Sequence, residues 1–336
     1  MCGFLCIVSR NNQNNFSIDK KILNHRGPDT FSSIKHLNLR LSHWRLSIVD
    51  LTKNSDQPIQ DDKFIFAYNG EIYEHDKWTE KYQIKQKGDT RKVFERIKNT
   101  NSVKDLFDEP GFFSLIFYDK KKRIIKAARD KIGKKPLYYY LDEQLFIISS
   151  EENGILPFIK KLKINKLSVN NYFLYKERFY GKTIFSKIYE VAPGSEINFN
   201  IKKWDLKVST QWKYYYKHYN STLSIPYKKN IQITNYNKLE FEKKFRDIFL
   251  DSVSSRLKCD VPVQLALSGG IDSFMIGEAI KKNLNSNKLI KSITVNFTSQ
   301  GEAKLAKNNS TYLGIKNSLV EFKENTFYDI LEKAIK

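Results

Sequence analysis

Cys2 stands directly after Met1, and removal of that Met would leave a thiol and a free α-amine on one residue. An α-amine titrates near about 7.7–8.0, so at neutral pH a useful fraction is free base, able to take the thiol proton directly or through a water. Such a residue can attack a carbonyl carbon without a separate histidine. A second feature lies far downstream. The apolar run 261–267 leads into Ser268-Gly269-Gly270-Ile271-Asp272-Ser273 and then a helix-forming stretch. Glycines expose backbone N–H groups and a helix N-terminus favours an anion, so the spelling suits a phosphate-binding turn. It lacks the Gly-Lys-Ser/Thr of a Walker loop. Each feature has a plainer reading when taken singly: a chance cysteine at a strand start, and a Gly-Gly turn capped by Ser and Asp.

The elements that must position these residues fall into two styles. Up to about residue 186 the pattern is of short strands, at 3–8, 39–43, 64–68, 111–118, 123–129 and 145–149, separated by turn residues. One short helical period, 90–98, puts Val93, Phe94 and Ile97 on one side. Many strands and few helices imply stacked antiparallel sheets. Residues 204–238 have no sustained period and read as an interdomain connection. From 238 to 257, Phe241, Phe245, Ile248, Phe249 and Val253 recur at helical spacing. Strands then alternate with helices: 261–267, 272–282, 290–297, 302–313, 318–322 and 326–335. That alternation means a parallel sheet with crossover helices.

Composition narrows the function classes. The 336 residues suit two domains, and 40% hydrophobic with 14% aromatic residues is enough for packed cores. The formal charge of +21 raises the question of nucleic acid or an anionic membrane. The excess, however, is 47 Lys against 11 Arg, scattered through every segment, and Arg is the residue that reads phosphate bidentately. Lys, Asn, Ile, Tyr and Phe together supply 152 residues, all with AT-rich codons, so the charge reads as codon drift and neither a nucleic acid nor a membrane is an expected partner. No run approaches the roughly 20 apolar residues of a membrane span, and the apolar start has no basic n-region. The expected location is cytoplasmic. Three cysteines and five histidines, none at zinc-ligand spacing, indicate no metal site.

Five segments in order, Met-Cys-Gly at 1–3, His25-Arg26-Gly27-Pro28-Asp29, residues 45–50 (Arg-Leu-Ser-Ile-Val-Asp), Tyr68-Asn69-Gly70-Glu71-Ile72-Tyr73 and Gly88-Asp89-Thr90, resemble the glutamine amidotransferase domain of the N-terminal-nucleophile class. Residues 129–138 (Arg-Asp-Lys-Ile-Gly-Lys-Lys-Pro-Leu-Tyr) and Ser149-Ser150-Glu151 extend the match, which looks most like the asparagine synthetase branch. The spelling at 268–273 resembles the PP-loop of ATP pyrophosphatases. Trp44 and Arg91 depart from what relatives usually carry, and neither is a proposed ligand.

The resemblance implies an α+β amidotransferase domain of stacked antiparallel sheets over 2–190 and a connection over 191–237. It implies a partial α/β, adenine-nucleotide α-hydrolase-like domain over 238–336. It further implies that Cys2 attacks the side-chain amide of glutamine, with the Asn69 amide and the Gly70 N–H as oxyanion donors. The glutamine set is Arg45, Leu46, Ser47, Ile48, Val49, Asn69, Gly70, Glu71 and Asp89. Arg45 would grip the α-carboxylate while Glu71 and Asp89 face the α-ammonium. Leu267 and Val295 would line an adenine pocket, and Ser268, Gly269, Gly270, Asp272 and Ser273 would hold phosphates bridged by Mg²⁺. The expected substrates are glutamine, ATP and aspartate, with no prosthetic group. Residues 274–336 leave room for two further strands, so the synthetase half is expected to be incomplete, and the expected partners are a second copy in a homodimer or a chain that completes the synthetase domain. The alternatives are a glutaminase feeding ammonia to another chain, or an inactive regulatory partner.

Overall fold

The computed structural model describes residues 1–11, 16–84, 87–176, 181–212, 238–283, 291–297, 302–322 and 327–335. It forms two compact units, Met1–Pro226 and Tyr227–Lys336. The first contains β1 (Gly3–Ser9), β2 (Thr30–His36), β3 (Leu39–Arg45), β4 (Ile59–Gln60), β5 (Phe64–Ile72), α1 (Lys77–Lys81), α2 (Asp89–Thr100), β6 (Gly111–Asp119) and β7 (Ile124–Arg129). It continues with β8 (Tyr138–Leu141), β9 (Leu145–Ser149), α3 (Lys166–Tyr175), β10 (Ile188–Glu190), β11 (Ser195–Asn200) and β12 (Asp205–Thr210). Two six-stranded antiparallel sheets result, ordered β10-β8-β9-β1-β3-β2 and β12-β11-β7-β6-β5-β4.

The sheets pack face to face. Phe4, Cys6 and Val8 of β1 meet Ile65 and Ala67 of β5, Ile116 of β6 and Ile125 of β7 in one buried cluster. Phe146 and Phe199 stack across it with ring centroids 3.9 Å apart. The outer face of the second sheet is buried as well: Phe66, Phe113 and Phe117 pack under Val93, Phe94 and Ile97 of α2. The outer face of the first holds Leu5, Ile7, Trp44 and Ile147. Because both faces are covered, every residue of β1 is buried, which is why it reads as a continuous apolar run and not as an alternation.

β11 and β12 fall inside the segment expected to be the connection, yet β11 is hydrogen-bonded in register to β7, Ile197 opposite Ala127. The antiparallel sheet therefore runs past residue 190. The remainder of that connection, 213–237, lies outside the described residues.

The second unit holds α4 (Lys238–Ser255), β13 (Gln264–Ala266), α5 (Ile271–Asn283), β14 (Lys291–Phe297), α6 (Glu302–Leu313), β15 (Lys316–Phe322) and α7 (Phe327–Ile335). Its sheet is parallel, in the order β13-β14-β15. β13 is shorter than the expected 261–267 because Pro262 has no N–H to give to a ladder.

Candidate active site

Gly3 of β1 pairs with Trp44 of β3, so Cys2, just before the strand, comes level with the residues that leave β3. The Leu46 backbone N–H donates to the Cys2 sulfur at 3.4 Å, and the thiol lies 3.6 Å from the Leu46 carbonyl. The 25–29 turn fixes the other side. Gly27 approaches β3 so closely that a Cβ would stand 2.3 Å from the Trp44 carbonyl oxygen, a position no side chain fits. Arg26 donates from Nε to the Cys2 carbonyl at 3.0 Å and pairs through Nη1 with Glu151 at 2.6 Å, while His25 meets the same carboxylate at 2.8 Å. The segments at 25–29 and 149–151, to which sequence reasoning gave no role, thus hold Cys2 from both ends. Burial pushes the thiol up from its ordinary range, opposed by the Leu46 N–H, the N-terminal amine and Lys135. Burial pulls the Met1 α-amine down, so it holds its proton less firmly than a free terminus.

Cys2 opens into a cavity of about 140 Å³. Of the expected glutamine set, Arg45, Leu46, Ile48, Val49, Asn69, Gly70, Glu71 and Asp89 line it together with Cys2. Ser47 does not line it, and its backbone N–H is turned to the Asp29 carboxylate at 2.7 Å. Asn69-Gly70 is a common turn dipeptide, but here it sits within β5, with Asn69 opposite Ser114 and Gly70 opposite Phe113. A Cβ on Gly70 would lie 2.5 Å from the Phe112 carbonyl oxygen, so the strand pair closes only with glycine there. Asn69 is 2% exposed, and its Nδ2 is buried with no hydrogen-bond partner. A buried amide N–H₂ left unpaired costs about 1–3 kcal/mol, the kind of defect that persists where a ligand oxygen is meant to arrive.

Arg45 is buried, and its fork is turned partly onto its own loop: Nη1 donates to the Thr52 carbonyl and to Asp56, both at 2.8 Å, and Nη2 to the Asp50 carbonyl. A guanidinium has five N–H groups, so two remain for a ligand. Asp89 opens α2 and is buried. Its Oδ2 accepts from the Tyr68 hydroxyl at 2.7 Å and the Ile72 N–H at 2.9 Å. Burial pushes its carboxyl up, opposed by those two donors. Sequence reasoning missed Tyr68, Gln57, Phe112 and Lys135, which also line the cavity. Lys135 lies within the quoted 129–138 segment, yet only the fold brings it to Cys2.

Beneath the site His43 is fully buried, and Nε2 donates to the Tyr68 carbonyl at 3.2 Å. Burial pulls the imidazole down to about 4. It is therefore neutral in the folded chain while the unfolded chain binds a proton near the ordinary value. The stability this contributes is complete above the unfolded pKa and is lost as pH falls through the folded one, roughly 3 kcal/mol between about pH 6.5 and 4. In denaturant melts at pH 7 and pH 4.5, His43→Gln, which keeps an N–H for the Tyr68 carbonyl, should lose less stability on acidification than the wild type. Equal losses would refute this account of His43.

In the second unit the loop after β13 closes on itself. The Ser268 N–H donates to Ser273 Oγ at 3.1 Å, the two hydroxyls meet at 3.0 Å, and the Gly270 N–H donates to Ser268 Oγ at 3.1 Å. α5 begins at Ile271, so Asp272 and Ser273 stand in its first turn. Leu267, expected in an adenine pocket, has its side chain turned inward. Its side chain is 2% exposed and packs with Val253, Leu265 and Leu313, because the period of two places it on the same buried side as Leu265. Val295, on β14, is 50% exposed. Thr294, missed in the sequence, donates to the Leu267 carbonyl at 2.7 Å and ties β14 to the loop. Among the described residues no group of three or more His, Cys, Asp or Glu could hold a metal, and no helix is long and apolar enough to cross a membrane.

Comparison with known proteins gives the context. Residues 1–215 match the family model of the glutamine amidotransferase domain, and 244–336 match that of asparagine synthase. A Methanocaldococcus jannaschii protein, provisionally named asparagine synthetase (glutamine-hydrolyzing) 2, is 29% identical over 93% of this chain and 62% of its own length. Penicillium rubens amidase chyE is 27% identical over 100% of the chain and 53% of its own. Bacillus subtilis asparagine synthetase (glutamine-hydrolyzing) 1 is 27% identical over 94% and 49%. The chain thus spans about half to three-fifths of the length of these relatives. Among solved structures, a Bacillus subtilis glutamine phosphoribosylpyrophosphate amidotransferase aligns with 100% of the chain and 71% of its own at 12% identity and TM-score 0.43. With the first family model covering well over half its residues, the chain belongs to the glutamine amidotransferase domain family, and its C-terminal segment matches the asparagine synthase model.

Proposed function

We propose that the first unit hydrolyses glutamine to glutamate and ammonia, and that the second uses ATP to activate aspartate for amidation to asparagine. The single observation that carries the first step is the Asn69 Nδ2, buried without a partner in the cavity that Cys2 opens into. In this reading the Cys2 sulfur, its proton passed to an α-amine, forms a bond to the glutamine Cδ. The carbonyl oxygen takes the negative charge between Asn69 Nδ2 and the Gly70 N–H. The amide nitrogen leaves with the proton as ammonia. Water then cleaves the thioester, restoring the thiol and releasing glutamate. The α-amine must be that of Cys2 itself, which requires removal of Met1 and is readable as an intact mass. Arg45 holds the substrate α-carboxylate with its two remaining N–H groups, Glu71 and Asp89 take the α-ammonium, and Leu46, Ile48 and Val49 wall the pocket.

For the second unit the support is the loop geometry. Ser268, Gly269 and Gly270 between a parallel strand and a helix, with Asp272 and Ser273 in the first turn of that helix, suit the phosphates of an ATP brought in with its Mg²⁺. The reaction belongs to the cytoplasm, where ATP and both amino acids are available.

The second reading is a glutaminase that passes ammonia to another chain, for which the site around Cys2 suffices. The purified chain separates the readings. Given glutamine, aspartate and ATP, asparagine formation supports the synthetase reading. Glutamate release at the same rate with or without ATP and aspartate, and no asparagine, supports the second. No glutamate under either condition rejects both.

A further inference from the structure

The charges around Cys2 are almost all committed to neighbours. Arg26 is paired with Glu151, and Arg45 with Asp56. Asp29 accepts from the Ser47 N–H, and Asp89 from Tyr68 and Ile72. Glu71 lines the same cavity, the N-terminal amine stands beside the thiol, and Lys134 lies 4.2 Å over the Phe112 ring. Lys135 differs. It is 8% exposed, it lines the cavity with Cys2, and among the described residues its ammonium makes no salt bridge and no hydrogen bond. It lies over the face of Phe112, 4.8 Å from the ring centroid.

The backbone does not leave this placement to chance. The Asp130 carboxylate accepts from the N–H groups of Lys134 and Lys135, at 3.0 and 2.9 Å. Arg129 donates to the carbonyls of Lys135 and Gly133, at 2.9 and 2.8 Å, and is itself paired with Glu190 at 2.7 Å. A turn clamped at this many points holds a buried cation on the wall of the cavity that Cys2 opens into. Burying an ammonium without a salt-bridge partner is costly, and such groups persist where a negative charge forms nearby.

We propose that Lys135 is a positioning residue for Cys2, its ammonium poising the thiol as thiolate and holding the negative charge that the sulfur carries into attack. This rests on the reading of Cys2 as the nucleophile. Burial pulls the Lys135 ammonium down, and the negative charges of a Cys2 thiolate and of Glu71 oppose that pull.

The test reads Cys2 and not turnover. In the full chain, with its N-terminus defined by intact mass, the rate of Cys2 alkylation by iodoacetamide is followed by peptide mass against pH. Cys259 of the second unit serves as internal control. Lys135→Met keeps the stem over Phe112 and removes the charge; it should raise the Cys2 midpoint by about 1 pH unit and slow alkylation at pH 7 about tenfold. Lys135→Arg should restore both, which a structural role for the stem would not require. Lys135→Gln gives the same comparison if the Met variant does not fold. A Cys2 profile that superimposes on the wild type in the neutral variants, or that stays shifted in Lys135→Arg, overturns the proposal. Glutamate release assayed in parallel separates the two readings: a shifted profile in a chain whose wild type hydrolyses no glutamine would reject the function but keep the role of Lys135.

Discussion

Cys2→Ala lowers glutamine hydrolysis by at least about 10⁴-fold, to the level of the uncatalysed reaction assisted only by binding. The size of the loss follows from what remains. Alanine offers no lone pair to the glutamine Cδ, and no other sulfur in the first unit can substitute, because Cys6 is fully buried between the two sheets and burial holds its thiol far above its ordinary range. The fold should not change with the substitution. Among the described residues the Cys2 side chain hydrogen-bonds only to the Leu46 backbone, weakly, at 3.4 and 3.6 Å, while the position itself is fixed through the Cys2 carbonyl by Arg26. Glutamate release measured by a coupled dehydrogenase assay, beside a thermal melt, checks both halves. Hydrolysis by a well-folded Cys2→Ala chain at even a hundredth of the wild-type rate would remove Cys2 from the mechanism and with it the proposed function.

How far the sequence carries the fold depends on whether a segment's neighbours lie near it in the chain. β1, β6 and β9 read directly, since a strand buried on both faces is an apolar run whatever covers it, and the helices α4 to α6 follow from their own period. β2 escapes notice because it is the edge of its sheet: Thr30, Ser32, Ser33 and Lys35 are exposed and only pairing with β3 makes it a strand. α3 escapes for the opposite reason. Phe173 and Leu174 are 67% and 72% exposed, so no apolar stripe marks it and its helix is set by Asn165, whose side chain accepts from the Ser168 N–H. β11 reads as connection because its partner is β7, some seventy residues earlier, and β12 because it pairs with β11 at the edge of that sheet.

The same logic applies to the site. Cys2, Asn69, Gly70 and Asp89 sit in short segments whose residue types already suggest chemistry, and the fold brings them to one cavity. Arg45 is legible as a cation but not as one already engaged by Asp56, because that pairing is made by the curl of the loop 46–56. The side chain of Leu267, read as part of a pocket wall, packs in the core beside Leu265, as strand alternation requires. Lys135 is legible only as one lysine among many, and its distinction is positional: a turn clamped by Asp130 and Arg129 places it on the wall of the cavity that Cys2 lines.

Asn69→Ala is the sharper of the two large effects, because activity and stability should move apart. In the transition state the glutamine oxygen gains charge, and the donor that meets it contributes about 3–4 kcal/mol, so kcat should fall about 10²- to 10³-fold. KM should change little, since the ground-state carbonyl uses that donor far less than the oxyanion does. In the unliganded chain the Asn69 Nδ2 is buried and unpaired, so truncation removes a desolvated N–H₂ along with some packing. The melting temperature should therefore stay level or rise while turnover collapses. Asn69→Asp supplies the complementary arm: a carboxylate of the same shape places an acceptor where the oxyanion forms, and its kcat should fall below that of the alanine variant. If both variants lost stability and activity in proportion, Asn69 would be a strand residue whose amide merely packs. A parallel fall in Gly70→Ala could not rescue the assignment, since a Cβ there collides with the Phe112 carbonyl oxygen at 2.5 Å and disturbs the strand pair whatever Gly70 does in catalysis. The oxyanion site is thus decided at Asn69, where the donor can be removed without moving the backbone that carries it.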